Sequence, residues 1–289
     1  MKNFPSYIRE TRAPTRMPPP LSCDSQVHVY GDLDRYPVRP GTAYYPPDAT
    51  FDDVLNMHRT MGFARGLIVQ ATCYGTDHRL VVDALARGNG QYRGCAIIDD
   101  SVSDAELERL HAAGVRGARF NFAKVLKISI TPESFRRSIA RISELGWFAK
   151  IFALGGELVE HKELFDSLTI PTVIDHMGGL HFTEGVDQPG MRMMREYLKR
   201  GNWWVMVSSG DRHALAGYPW DEAVPFAQAL IGTAPDRIVW GTDWPHVIYE
   251  SEMPNDGDLL DLLYRYVPDD VVLKKILVDN PAQIFQFTA

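Results

Sequence analysis

Short apolar runs alternate with amphipathic stretches along almost the whole chain, and the alternation repeats eight times. The runs are Cys23–Tyr30, Gly66–Gln70, Gly94–Ile98, Gly117–Phe122, Phe148–Phe152, Thr172–Asp175, Trp203–Ser208 and Arg237–Trp240. Most are continuously apolar, as expected of strands covered by helices in a parallel sheet. No linker interrupts the series, so the pattern predicts an α/β fold, a single-domain (β/α)8 TIM barrel over residues 21–289. A doubly wound open sheet is the alternative, but no GxGxxG follows the first run to support it.

Helix signals fall between the runs. Thr50 with Asp53 resembles a capping box ahead of Val54 and Leu55. Thr131-Pro132-Glu133 sets a cap, a first-turn proline and an acid before Phe135. Gly114 and Gly146 sit where helix C-termini belong. Leu259–Tyr266 and Val271–Leu277 read as terminal helices. Residues 1–20 are Pro-rich and read as an extended arm that wraps the domain or a second subunit, leaving a homo-oligomer open.

With 289 residues the chain can bury a full core, and its net charge of -7 argues against nucleic acid as a partner. The 3 cysteines form no CxxC pair, so no disulfide framework is expected. No apolar run reaches membrane-spanning length and no hydrophobic signal core opens the chain, so a reduced, cytoplasmic location is the default.

In a parallel barrel, polar residues at the strand C-termini converge on one rim, and function is sought there. The run IVWGTDWPH, residues 238–246, brings Asp243 and His246 to that rim, where Pro245 forbids the ladder from continuing. A carboxylate boxed by Trp240 and Trp244 suits chemistry better than stability. The competing reading is a helix cap or an arginine partner. The first run supplies Gln26 and His28, two apart and so on one face. The fourth carries Arg119 followed by Lys124, the sixth ends in Asp175-His176, and the seventh leads to Asp211-Arg212.

Five motifs together resemble the amidohydrolase superfamily, and within it the 2-pyrone-4,6-dicarboxylate lactonase-like branch. They are DSQVHVYG, IVQATCYGTD, GVRGARFNF, VIDHMGG and IVWGTDWPH. The resemblance runs from Cys23 to Phe285 and implies ring-opening hydrolysis of a small anionic lactone. Metal-using members carry His-x-His at the end of strand one, whereas Gln26 stands at the first of those positions here. An amide is a poor zinc ligand, so no cofactor is expected; a zinc site, if present, would use His28, His176 and Asp243. Gln26 is also similar to what a sugar-lactone (D-galactarolactone) isomerase branch carries, which keeps isomerisation open.

On this reading Asp243 is the general base for water, and His28, His176 and the Gln26 amide stabilise the oxyanion. Arg119 and Arg212 are candidate anchors for a substrate carboxylate. The alternatives are an internal pair of Arg119 with Asp24 or Asp175, and a surface bridge of Arg212 to Asp211 or Glu222. The resemblance adds Tyr44 and Thr72 as hydrogen-bonding positions; Tyr74, Lys124 and His246, read from the rim segments, are further candidate substrate contacts. Where the dicarboxylate lactonases carry further arginines, this chain has Val125 and Gly179, which implies a substrate with less negative charge.

Other conspicuous residues read as structural. His58, His111, His161 and His213 are expected on the surface or at caps, His181 in a loop near the entrance, and Cys23, Cys95, Trp203 and Trp204 in the core. Cys73 lacks an evident His partner for nucleophilic work. Two other function classes stay in view: a zinc-dependent decarboxylase or hydrolase, and a non-catalytic scaffold.

Overall fold

The computed structural model describes residue 4, residues 7–127 and residues 130–288. Residues 1–3, 5 and 6 of the N-terminal arm, positions 128 and 129 and the last residue lie outside the description. Eight strands pair in chain order, each parallel to the next. They are β1 (Cys23–Val27), β2 (Arg65–Val69), β3 (Tyr92–Ile97), β4 (Val115–Asn121), β5 (Phe148–Phe152), β6 (Thr172–Ile174), β7 (Trp203–Met206) and β8 (Ile238–Val239). Helices alternate with them, so the architecture is the expected (β/α)8 barrel.

Alternation along the strands separates two cores. Leu67 and Val69 of β2 join Phe148, Val173, Met206 and Val239 in one cluster, closed by Phe285 and Phe287. Their neighbours Ile68, Ala149, Ile151 and Val205 belong to the cluster shared with the helices. The period of two therefore also aims Arg119 and Lys150, register partners on β4 and β5, into the barrel. On β1 the register shifts between Asp24 and Val27. That irregularity carries Gln26 and His28 to the inner side, where the contacts described below are made.

The ring closes between β8 and β1 without a regular ladder. Ser25 N–H donates to the Trp240 carbonyl at 3.0 Å, Asp243 N–H to Gln26 at 3.0 Å, and His28 N–H to Trp244 at 2.8 Å. Strand β8 ends at Val239, one residue short of the expected limit, and Asp24 explains the early exit. Its fully buried carboxylate takes the Thr242 N–H at 2.9 Å, the Thr242 hydroxyl at 2.7 Å and the Gln26 N–H at 3.1 Å. The backbones approach so closely that a Cβ on Gly241 would lie 2.4 Å from the Gln26 nitrogen. Only glycine fits there.

The capping signals are all present. Thr50 and Asp53 form the reciprocal box on the helix Phe51–Met61, and Thr131 caps Pro132–Glu144. Gly114 closes Asp104–Ala113 at φ 103°. The terminal helices start earlier than their apolar positions suggest, at Asp256 and Asp270, because Asn255 and Asp269 cap them. No helix among the described residues is long and apolar enough to cross a membrane.

Candidate active site

A cavity of about 420 Å³ opens at the C-terminal ends of the strands, with His28, Arg119, His176, Arg212 and Asp243 on its wall. Three of the residues that build it sit in the left-handed region: His176 (φ 49°), Ser209 (φ 59°) and Asp243 (φ 64°). Each such conformation costs on the order of 1–3 kcal/mol and persists only where the surroundings impose it. Here β6, β7 and β8 have each ended, and the chain turns sharply to present a side chain to the barrel mouth.

Asp243 is the hub. Its Oδ1 accepts a hydrogen bond from Gln26 Nε2 at 2.8 Å and faces His28 Nε2 at 3.3 Å and His176 Nε2 at 3.6 Å. Its Oδ2 accepts from Arg212 Nη2 at 3.2 Å. Burial pushes its carboxyl up, but the fields of His176, Arg212 and His28 and the His28 hydrogen bond outweigh that and hold it well below the usual range. Burial pushes the His176 ring down to about 4, against the pull of Asp243 and Asp175. At neutral pH the imidazole of His176 is therefore uncharged, and the Arg212 guanidinium is the permanent cation beside the carboxylate.

The amide of Gln26 fixes the tautomer of His176. Its Nε2 is 3.0 Å from His176 Nε2. The reversed amide would set a carbonyl oxygen 2.8 Å from a carboxylate oxygen, so the NH2 group must face both partners. His176 Nε2 is thereby an acceptor, and Nδ1 carries the proton toward the Ser208 and Ser209 hydroxyls at 2.8 and 2.9 Å. Gln26 is fully buried beneath the floor and does not line the cavity. Both facts differ from the sequence expectation: neither Gln26 nor His176 offers a free N–H to an oxyanion. His28 does face the cavity, with Nδ1 donating to the Val69 carbonyl at 2.7 Å.

These residues do not fit a zinc ion as they stand. The Gln26 NH2 group occupies the lone pairs of Asp243 Oδ1 and His176 Nε2 that a metal would need, and a donor N–H cannot ligate. Among the described residues no group of three His, Cys, Asp or Glu side chains is placed to hold a metal.

Arg119 reaches the cavity from β4 with little to hold it. Asp175 Oδ2 lies 4.0 Å from its Nη2, its Nε is buried without a hydrogen-bond partner, and its guanidinium lies over Phe152 at 5.2 Å. Asp175 is instead 2.5 Å from Lys150 Nζ, both fully buried. Two inward cations share one carboxylate, which leaves a positive excess under the cavity and a guanidinium open to an anion. Arg212 is more committed: besides Asp243 it donates to the carbonyls of Val247 and Ile248 at 3.2 and 3.3 Å. It does not bridge Asp211 or Glu222.

Tyr44 and Thr72 line the cavity, and burial pushes the Tyr44 phenol up, keeping it a neutral hydrogen-bonding group. Three expected contacts lie elsewhere. The Tyr74 hydroxyl accepts from Gly31 N–H at 3.2 Å on the outer side of the loop. Lys124 is exposed and pairs with Glu160 at 3.3 Å, because the loop after β4 carries it outward. His246 is buried against Asp256 at 3.1 Å, turned away by its own positive φ of 57°.

Sequence reasoning missed several wall residues: Phe152, Leu154, His213 and Tyr249 among them. His213, expected at the surface, follows Arg212 on the same short helix Gly210–His213, and burial pushes its ring down to about 4. Its place one residue after a rim arginine was the available signal. His58 is likewise not superficial but sandwiched between Asp24 and Tyr92. Burial raises the Cys73 thiol to about 12, so it supplies no thiolate.

A parallel barrel whose C-terminal mouth gathers an aspartate and two histidines has the layout of a barrel enzyme's active site. The chain belongs to the amidohydrolase family, whose model matches residues 23–287. It is 38% identical to a 2-pyrone-4,6-dicarboxylate hydrolase of Comamonas testosteroni, over 92% of this chain and 90% of the relative. It is 34% identical to a 4-sulfomuconolactone hydrolase of Hydrogenophaga intermedia, over 92% and 89%. An apo structure from Agrobacterium tumefaciens superposes with a TM-score of 0.85 at 26% identity, covering 95% of this chain and 99% of that one.

Proposed function

We propose that this protein opens a small lactone bearing one carboxylate, by attack of a water that Asp243 positions and deprotonates, without a bound metal. The observation that carries the reading is Asp243 itself, kept ionised at the cavity wall by Arg212, His28 and Gln26. The names of the relatives supply the lactone. The dicarboxylate in the first relative's name is reduced to one carboxylate here, because Arg119 is the cavity-wall arginine whose ion pairing is loose and Val125 lines the wall nearby.

Arg119 takes the substrate carboxylate. Water gives a proton to Asp243 as its oxygen bonds to the lactone carbonyl carbon. Held at so low a pKa, Asp243 is a weak base, and its contribution comes from placing the water in line rather than from proton affinity. The oxyanion falls to the Tyr44 hydroxyl, a neutral donor that faces the cavity. Collapse breaks the ring C–O bond, and the leaving oxygen takes back the proton held by Asp243. The product hydroxy acid then ionises and releases one proton to solvent.

Asp243→Asn tests the base assignment. The amide keeps the shape and the left-handed backbone, so substrate affinity is expected to stay near wild type while kcat falls by about 10²–10⁴-fold. Turnover close to wild type would remove Asp243 from the chemistry.

A further inference from the structure

The cavity wall changes character with height. Its floor is built from strand-end polar groups, His28, Arg119, His176 and Asp243, whereas the loops above contribute Val125, Leu126, Leu154, Val247 and Ile248. These five aliphatic side chains come from the segments after β4, β5 and β8. Val125 keeps 51% of its surface exposed, although a loop tip in water gains nothing from valine.

Two further observations show that this collar is built. Arg39 donates to the Thr72 carbonyl at 3.1 Å and to the carbonyls of Leu126 and Lys127 at 3.3 and 3.2 Å, pinning the loop that carries Val125. Arg212 does the same opposite, through the carbonyls of Val247 and Ile248. Ile248 also holds a φ of 58°. A β-branched residue in the left-handed region is strained, and such strain concentrates where a ligand is gripped.

We infer that the collar is a subsite for a hydrophobic substituent, so that the substrate is amphipathic: a carboxylated lactone ring at the floor and an alkyl or aryl group directed outward. The inference rests on the lactone reading for the ring and on the collar alone for the substituent. Each methylene that enters is expected to raise kcat/KM about fourfold until the collar is full.

The test is a series of monocarboxylated γ-lactones substituted with hydrogen, methyl, ethyl and propyl. Beside it, calorimetry follows binding of the matching alkyl-substituted cyclopentane carboxylates, which cannot be hydrolysed. Wild-type enzyme should show both kcat/KM and affinity rising with chain length, and Val125→Ser and Ile248→Asn should flatten the rise. Asparagine tolerates the left-handed region, so Ile248→Asn should flatten the series without lowering the thermal midpoint. Alkyl dependence in binding with no lactone opened would uphold the subsite and sink the lactone reading alone. Affinity and turnover that stay flat or fall with chain length overturn the subsite.

Discussion

The Gln26 amide nitrogen lies 2.8 Å from Asp243 Oδ1, and the same NH2 group is 3.0 Å from His176 Nε2. One neutral donor thus ties the acid of the last strand to the histidine of the sixth. It acts from below the floor, which makes Gln26 a positioning residue.

Gln26→Leu preserves the volume and removes the donor, leaving two buried acceptors short. Stability is expected to drop by about 1–3 kcal/mol in urea unfolding. Asp243 also loses a group that holds its carboxyl low. The acid limb of kcat/KM, where activity is lost as pH falls through the Asp243 pKa, should therefore move to higher pH. An unmoved limb would show that Gln26 serves packing alone.

Arg119→Met should separate anchoring from chemistry. Lys150 still pairs with Asp175 at 2.5 Å, so the fold keeps its buried ion pair. KM for carboxylated lactones is expected to rise about 10–100-fold, the range of a charge-assisted hydrogen bond, while uncharged lactones are unaffected. Equal effects on both classes would place Arg119 outside substrate recognition.

His176 and His213 make stability depend on pH in a defined window. Burial pushes both rings from the ordinary 6.5 down to about 4. Between those values the unfolded chain binds protons that the folded one refuses, so stability falls as pH drops from 6.5 toward 4. Urea midpoints at pH 7, 5.5 and 4.5 should decline in that order, less steeply in His213→Gln. A midpoint constant over that range would mean the rings are not held neutral.

His246 provides the contrast. Burial alone would lower its pKa, but Asp256 wins and holds it up, and the pair lies outside the cavity. His246→Gln is expected to cost about 1–3 kcal/mol of stability. Its kcat/KM should remain within about twofold of wild type, since single-site losses of catalytic groups are far larger. A larger loss would return His246 to the site.

The barrel was legible because its strands are continuous apolar runs and its helices carry explicit caps, as at Thr50 and Thr131. His28, Arg119, His176 and Asp243 were legible because strand ends converge. The collar was not: Val247 and Ile248 stand on a loop held by hydrogen bonds from Arg212, and Leu154 on one whose N–H is held by Glu157, which no hydrophobic period encodes. His246 failed for the same reason, since one backbone angle turns it away from the rim, and Lys124 because the loop after β4 carries it outward to Glu160. The inward turn of Gln26 depends on the register shift of β1, and its seat beneath the floor on partners 150 and 217 residues away.

Proton release from chelator-dialysed enzyme, followed in a pH-stat with monocarboxylated γ-lactones, addresses water attack and metal independence together. One proton per lactone consumed, at a rate that added zinc does not raise, is the expected result. Lactone consumed without acidification, or activity that returns only with zinc, would contradict the account.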